Sequence, residues 1–189
     1  MLSGAFYMEV TMDHQELIDI ALDAGVNKAV VISTADIVMS ASFRDICQSN
    51  ACGMYGRCWM CPPDIGDIET LMADVHKYGH GLLYQTVAEI EDSFDIEGMQ
   101  EAAKTHVHVG QRLEAFLMLQ LDKHLHLSCG GCRVCDRCAK LDGLPCRDPE
   151  RAMPSMEGYG IDVYNTCKPT PLKYINGQNT VTYFGIVLF

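Results

Sequence analysis

Positive charge is scarce in this chain. Lys and Arg number 14 against 25 Asp and Glu, a formal net charge of -11 at pH 7 over 189 residues. Nucleic-acid binding needs a basic footprint, so no nucleic-acid partner is expected. A redox partner protein guided by charge would bring a basic docking face. Long apolar runs are missing as well. No stretch reaches the roughly 18 residues of a membrane-spanning helix; Glu114 interrupts the most apolar helical segment, and Gln120 and Asp122 follow it. No membrane association is expected. The first residues, Met1 to Glu9, lack a cationic stretch followed by an apolar core, so no signal peptide is expected and the default location is cytoplasmic. No Gly-x-Gly-x-x-Gly follows the first strand candidate, and neither a P-loop nor a His-Glu-x-x-His occurs.

What the chain has in excess is thiol. Of 10 cysteines, five fall in Cys129-Gly-Gly-Cys132-Arg-Val-Cys135-Asp-Arg-Cys138 and the following Leu-Pro-Cys146; four more are Cys47, Cys52, Cys58 and Cys61, the last heading Cys-Pro-Pro. In a reducing compartment, closely spaced thiols are metal ligands or redox groups far more often than disulfides. A hydrophobic content of 48% in a chain of this length also supplies a core that needs no stapling.

Three thiols at Cys-x2-Cys-x2-Cys spacing let one tight loop surround a cubane, with a fourth ligand from elsewhere. Cys132, Cys135 and Cys138 meet this, with Cys146 near enough to return. Cys129, Cys132 and Cys135 meet it equally, leaving Cys138 or Cys146 over. In the upstream group, Gly53 and Gly56 permit the tight path that four converging thiolates, Cys47, Cys52, Cys58 and Cys61, require. Zinc is the alternative, since the pairs Cys58/Cys61 and Cys135/Cys138 each suit half of a tetrahedral S4 site. Cys167 stands alone and reads as buried.

Hydrophobic periodicity places these loops on an α/β scaffold, read as a single domain over residues 1–189 with Cys-rich segments at 47–63 and 129–167. Asp13-His-Gln-Glu16 opens a helix carrying Leu17, Ile18, Ala21 and Leu22, which Gly25 ends. Ala29 to Ile32 reads as a buried strand. Asp67 caps a helix bearing Ile68, Leu71, Met72 and Val75, and Gly81 to Ile90 reads as a second strand. A long helix is predicted over 96–122, with Val109, Leu113, Phe116, Leu117 and Leu121 as its apolar stripe and Gly110 as a blemish. His124-Leu-His-Leu127 alternates like a short strand delivering the chain to Cys129, with His124 and His126 on one face. Asn176-Gly177 is a hairpin-turn dipeptide, and Val181 to Phe189 reads as the last strand. The expected architecture is a central, mostly β sheet flanked by helices.

Nearly the whole chain resembles the prokaryotic family of predicted metal-binding proteins known as domain of unknown function 2284. The resemblance is carried by Cys47-Gln-Ser-Asn-Ala-Cys52-Gly-Met-Tyr-Gly56-Arg, by Cys61-Pro-Pro, and by Pro145-Cys-Arg-Asp-Pro149 leading to Pro154-Ser-Met-Glu-Gly-Tyr-Gly-Ile-Asp-Val163. It implies ligands at Cys47, Cys52 and Cys61 upstream and at Cys132, Cys135, Cys138 and Cys146 downstream. Cys58 and Cys129 are then additions in this member, and the fourth upstream position falls to Cys58, to a residue other than Cys, or to an open iron.

Together these readings predict a metal-binding protein holding one or two [4Fe-4S] clusters, with an electron-transfer or redox role. The alternatives are an iron–sulfur enzyme acting on a small anionic substrate and a structural zinc protein. The enzyme reading requires a concave, partly polar pocket at the Cys52–Cys61 region with Arg57 or Glu157 in it.

Overall fold

The computed structural model describes residues 13–189. Strands β1 (Lys28–Ser33), β2 (His80–Glu89), β3 (Leu125–Leu127) and β4 (Thr180–Leu188) form one four-stranded sheet in the order β1-β2-β4-β3, every pair antiparallel. β2 and β4 are its centre, in register from Gly81↔Leu188 to Glu89↔Thr180.

Because side chains alternate along a strand, the two central strands feed two separate cores. Leu82 and Tyr84 on β2 and Val187 on β4 meet Leu17 and Ala21 of helix α1 (His14–Asp23) and Val109, Leu113 and Leu117 of helix α4 (Ile96–Leu117). Leu83, Phe184, Ile186 and Leu188 point the other way. There they meet Leu71 and Val75 of helix α3 (Ile68–Val75), Val163 and Cys167 of helix α5 (Val163–Cys167), and the loop residues Ile37, Met156, Tyr159 and Ile161. Helix α2 (Phe43–Gln48) lies on this second face against the turn at Glu157–Tyr159. The fold is thus α/β, with an antiparallel sheet flanked by helices. One face carries two well-packed helices, the other short helices and loops.

The caps form as the sequence indicates. Asp13 Oδ1 accepts from Gln15 N at 3.3 Å, Asp67 Oδ2 accepts from Thr70 N at 3.0 Å, and Gly25 leaves α1 with φ of 99°. Two expectations fail. The long helix stops at Leu117 instead of 122, and Phe116 is 49% exposed. Val109, Leu113 and Leu117 form the buried i, i+4 seam, and Phe116, one residue off it, turns outward. Leu121 extends the seam only as a turn, its N donating to Leu117 O at 2.8 Å. Asn176-Gly177 makes no hairpin, because no strand precedes it: β4 pairs with β2 and β3. Pro169 and Pro171 remove ladder donors just upstream, and Asn176 Nδ2 instead bonds Lys173 O at 2.8 Å and Thr182 Oγ1 at 3.0 Å.

Gly110 turns out to be closely packed. A Cβ there would lie 3.1 Å from the Tyr84 hydroxyl, and one at Gly185, paired with Tyr84 across the sheet, would lie 2.3 Å from it. Both glycines make room for a fully buried tyrosine. Its hydroxyl bonds His126 Nε2 at 2.7 Å, and His126 Nδ1 and His124 Nε2 bond the two Glu114 oxygens at 2.8 and 2.9 Å. This polar chain ties β2, β3 and α4 together.

Candidate metal centre

All but one of the clustered cysteines lie in the connections between these elements. Cys47 sits in the last turn of α2. The chain then turns through Asn50, whose φ is 55° and whose Oδ1 accepts from Tyr55 N at 3.0 Å. Gly56 N bonds Pro62 O at 2.8 Å, closing a loop that holds Cys58 and Cys61 inside it. Cys58 and Cys61 are buried, Cys47 half-buried and Cys52 exposed.

The downstream loop leaves β3 through Ser128, whose N donates to Pro154 O at 2.8 Å and whose O accepts from Met156 N at 2.9 Å. This pins both ends of the Cys129–Pro154 excursion. Three contacts then join the two Cys-rich segments. Trp59 Nε1 donates to Leu144 O at 2.9 Å, Lys140 Nζ bonds Asp64 Oδ1 at 2.5 Å, and the same ammonium stands 4.4 Å over the Trp59 ring. At Gly131 a Cβ would meet Met54 Cε at 2.6 Å, so the loops touch backbone to side chain.

This docking sorts the thiols differently from their order in the sequence. Cys58, still hydrogen-bonded to Cys61, lines one tight cavity with Cys132, Cys135, Cys138 and Cys146. Cys47, Cys52 and Cys61 line a second, roomier cavity of about 280 Å³, whose other walls include Tyr55, Pro62, Ser155 and Glu157. Cys129 joins neither. It lies in a third cavity, of about 370 Å³, with Arg133 and Glu157. Of the two downstream triads allowed by spacing, the structure gathers Cys132, Cys135 and Cys138.

The electrostatics suit thiolates. Cys58 is lowered to about 6 by its hydrogen bond with Cys61, against the cost of burial, with the Met60 and Cys132 backbone N–H groups and the Cys138 thiol helping. Cys61 moves the opposite way because it keeps the shared proton and is buried. Burial raises Cys132, while the Val134 and Met153 N–H groups act in the other direction. Such N–H···S contacts are among the levers by which a protein tunes a cluster. Burial also raises Cys47, opposed by the charge of Arg44. Arg44 Nη2 is buried without a hydrogen-bond partner among the described residues, a cation beside the upstream thiols that their negative charge would satisfy. Glu157 is raised by burial, its own backbone N–H and the Ser155 hydroxyl resisting.

Among the described residues no three Cys, His, Asp or Glu side chains converge as the ligands of a single metal ion. The thiols are gathered around cavities rather than closed upon one point. The donor set still fits a soft metal: clustered thiols, N–H groups directed at sulfur, and a partnerless guanidinium nearby. His124 and His126, a candidate metal pair from their shared strand face, are both held by Glu114 and face a separate small cavity. Cys167 is a core residue whose Sγ donates to Leu172 O at 3.4 Å. Met153 and Met156 are buried, Met156 within the second core. Arg147 lines the five-thiol cavity and donates to Arg137 O at 2.7 Å, while Arg57 is exposed and lines neither thiol cavity. Arg44, Arg133 and the bridging Trp59 were not singled out by sequence reasoning. Their only signal there is proximity to cysteine.

The fold is an antiparallel α/β sheet whose connections collect most of the thiols. The chain belongs to the family described as Predicted metal-binding protein (DUF2284), whose model matches residues 30–189. It has no match among curated proteins and none among solved structures.

Proposed function

We propose that this metal-binding protein is an iron–sulfur protein with a redox role. The observation that carries the reading is the five-thiol cavity of Cys58, Cys132, Cys135, Cys138 and Cys146, with backbone N–H groups directed at the Cys58 and Cys132 sulfurs. Cys132, Cys135, Cys138 and Cys146 would hold a [4Fe-4S] cluster there, and such a cluster supplies one-electron chemistry when bound. Cys58 lies against it as a spare or exchanging thiol. Cys47, Cys52 and Cys61 would hold a second cluster through three thiols, with Arg44 offsetting their charge. The net charge of -11 favours a redox partner with a basic face. No helix among the described residues is long and apolar enough to cross a membrane.

A second reading is favoured by one observation. The three-thiol cavity carries Glu157 on its wall, the concave, partly polar pocket that an iron–sulfur enzyme acting on a small anion requires. The chain's own part there would be to orient that anion, keep water out with Tyr55 and Pro62, and hold a proton on the Glu157 carboxyl.

The deciding experiment is to count iron, zinc and acid-labile sulfide per chain after anaerobic purification, with absorption and EPR spectra before and after reduction. About eight irons and eight sulfides are expected for two cubanes, and about four of each for the downstream site alone. Stoichiometric zinc without sulfide would overturn the redox reading and leave a structural metal protein.

A further inference from the structure

A sizeable cavity lies beside the three-thiol site. It has a volume of about 370 Å³ and is walled by the first turns of α4, the loop after β3, Tyr174 and the middle of β4. That volume is at the lower end of the roughly 300–1,000 Å³ usual for small-molecule sites. Gly130 and Glu157 line both this cavity and that of Cys47, Cys52 and Cys61, so the two spaces share a rim.

Its chemistry is asymmetric. One wall is aromatic: Tyr174 stacks on Phe184 with centroids 5.7 Å apart and planes at 13°, and Tyr164 braces Tyr174 edge-on at 5.3 Å. Arg133 also lines the cavity. Between Cys129 and Arg151 there are four arginines, and three are tied down: Arg137 to Asp142, Arg147 to Arg137 O, and Arg151 to Asp148. Arg133 has no ion-pair or hydrogen-bond partner among the described residues, and it lines the cavity with its side chain exposed. In a chain this acidic, a guanidinium without a carboxylate is a recognition element in search of an anion. One arginine balances one negative charge, and the second charge of a dianion would go unpaired.

We propose that this cavity binds a small monocarboxylate with a flat, apolar body, the carboxylate on Arg133 and the body on the Tyr174–Phe184 shelf. Gln100 on α4 supplies a further polar contact. The ligand's far end then lies toward the rim at Gly130 and Glu157, adjoining the three-thiol site. This deepens the enzyme reading above and rests on it only for the role of those thiols; the binding itself does not need them.

The test uses the full chain with benzoate and its neutral isostere benzamide as probes, followed by calorimetry and by NMR line shifts. Benzoate is expected to bind, benzamide at least about tenfold more weakly, and Arg133→Gln to lose about 10- to 100-fold in benzoate affinity, the usual effect of removing a charged hydrogen-bond partner. Arg137→Gln, outside the cavity, is expected to leave benzoate binding unchanged. Arg133 makes no ion pair or hydrogen bond among the described residues, so its variant is expected to keep the wild-type melting temperature. Equal binding of acid and amide, unchanged affinity in Arg133→Gln, or no benzoate binding up to about 10 mM would each overturn the proposal. Iron and sulfide are counted in the same samples. Benzoate binding by iron-free protein would sink the iron–sulfur reading and keep the carboxylate site; iron and sulfide without benzoate binding would do the reverse.

Discussion

The two faces of the sheet are built on opposite plans. On one, α1 and α4 close over Leu82, Tyr84 and Val187, and every buried core residue there except Ala24 and Val26 belongs to a helix or a strand. On the other, Leu83, Ile186 and Leu188 are covered largely by loop residues such as Ile37, Met156 and Ile161. Most of the clustered thiols lie in loops, and Cys47 ends helix α2 on that side. The helix-covered face can be stable on packing alone, because its backbone groups are satisfied internally. The loop-covered face depends on a handful of cross-links: Ser128 to Pro154 and Met156, Trp59 to Leu144, Lys140 to Asp64. Elements that hold a ligand belong where structure is adjustable, and metal bound there would add binding free energy to the weaker half.

The comparison is broken most directly at the five-thiol cavity. Replacing Cys135 and Cys138 together by Ser is expected to abolish metal there, read as loss of about half the iron and sulfide if two clusters are present. Hydrogen exchange should then show protection lost over residues 129–153 while amides of α1, α4 and β2 keep theirs. Equally fast exchange in α4 would mean that the faces are one cooperative unit.

The converse strike is Leu113→Ala. Leu113 is fully buried between α4 and the sheet, and its truncation is expected to cost about 3 kcal/mol, within the 2–5 found for such sites. In a chain of this size that is roughly 6–12 °C in melting temperature. Metal content per folded chain should not change. If it falls with stability, the helix face sets the thiol loops after all.

A smaller effect comes from the polar chain across the helix face. Burial alone would raise Glu114, but the hydrogen bonds from His124 and His126 outweigh it and hold the carboxyl at about 2. Its contribution is therefore present above the ordinary carboxylate range and is lost as pH falls toward 2. His124 is raised by the same bond, against its own burial; that contribution is present below the ordinary imidazole value and fades as pH rises through the folded one. His106, buried and bonded through Nδ1 to Thr86 Oγ1 at 2.8 Å, is lowered to about 4 by desolvation and by the charge of His126, so it favours folding above pH 6.5 and opposes it as pH falls toward 4. Wild type and Glu114→Gln should differ most between about pH 5 and 6, by up to about 3 kcal/mol, and less at pH 8. Chemical denaturation across that range checks it, and a difference independent of pH would remove the ionic account.

These contrasts also explain what the sequence could disclose. Helix α1, strand β1 and the Asp67 cap were legible because their signals are local: a cap, a period, a terminal glycine. The end of α4 was not, since Phe116 and Leu117 are equally apolar and only the position of the sheet decides which is buried. The thiols stood out as candidate ligands by spacing, and the structure places Cys132, Cys135, Cys138 and Cys146 around one cavity. Their partition was hidden. Cys58 also lines the downstream cavity because Trp59 and Lys140, 81 residues apart in the numbering, dock the loops, and no local pattern reports that contact. Arg133 was hidden for the same reason: that its neighbours are paired and it is not becomes visible only with Asp142 and Asp148 in place.

The subtlest prediction tests whether that docking is what sorts the thiols. Lys140 carries two of the three links to the upstream segment, and its side chain is 16% exposed against 20% for Asp64. Lys140→Met keeps the aliphatic contact on Trp59 and removes the charge, at an expected cost of about 1 kcal/mol, since a partly buried ion pair and a cation–π contact go together. Trp59→Phe removes the indole donor to Leu144 and weakens the same contact. If the strap acts as a unit, the two changes should be non-additive by about 0.5 kcal/mol or more in a double-mutant cycle. The double variant should also expose Cys58 to a thiol reagent in metal-free protein, since its burial depends on the two loops staying closed. Additive effects with Cys58 still protected would show that Cys58 is held by its own loop, through the Gly56–Pro62 closure, and that the downstream segment folds around a thiol already in place.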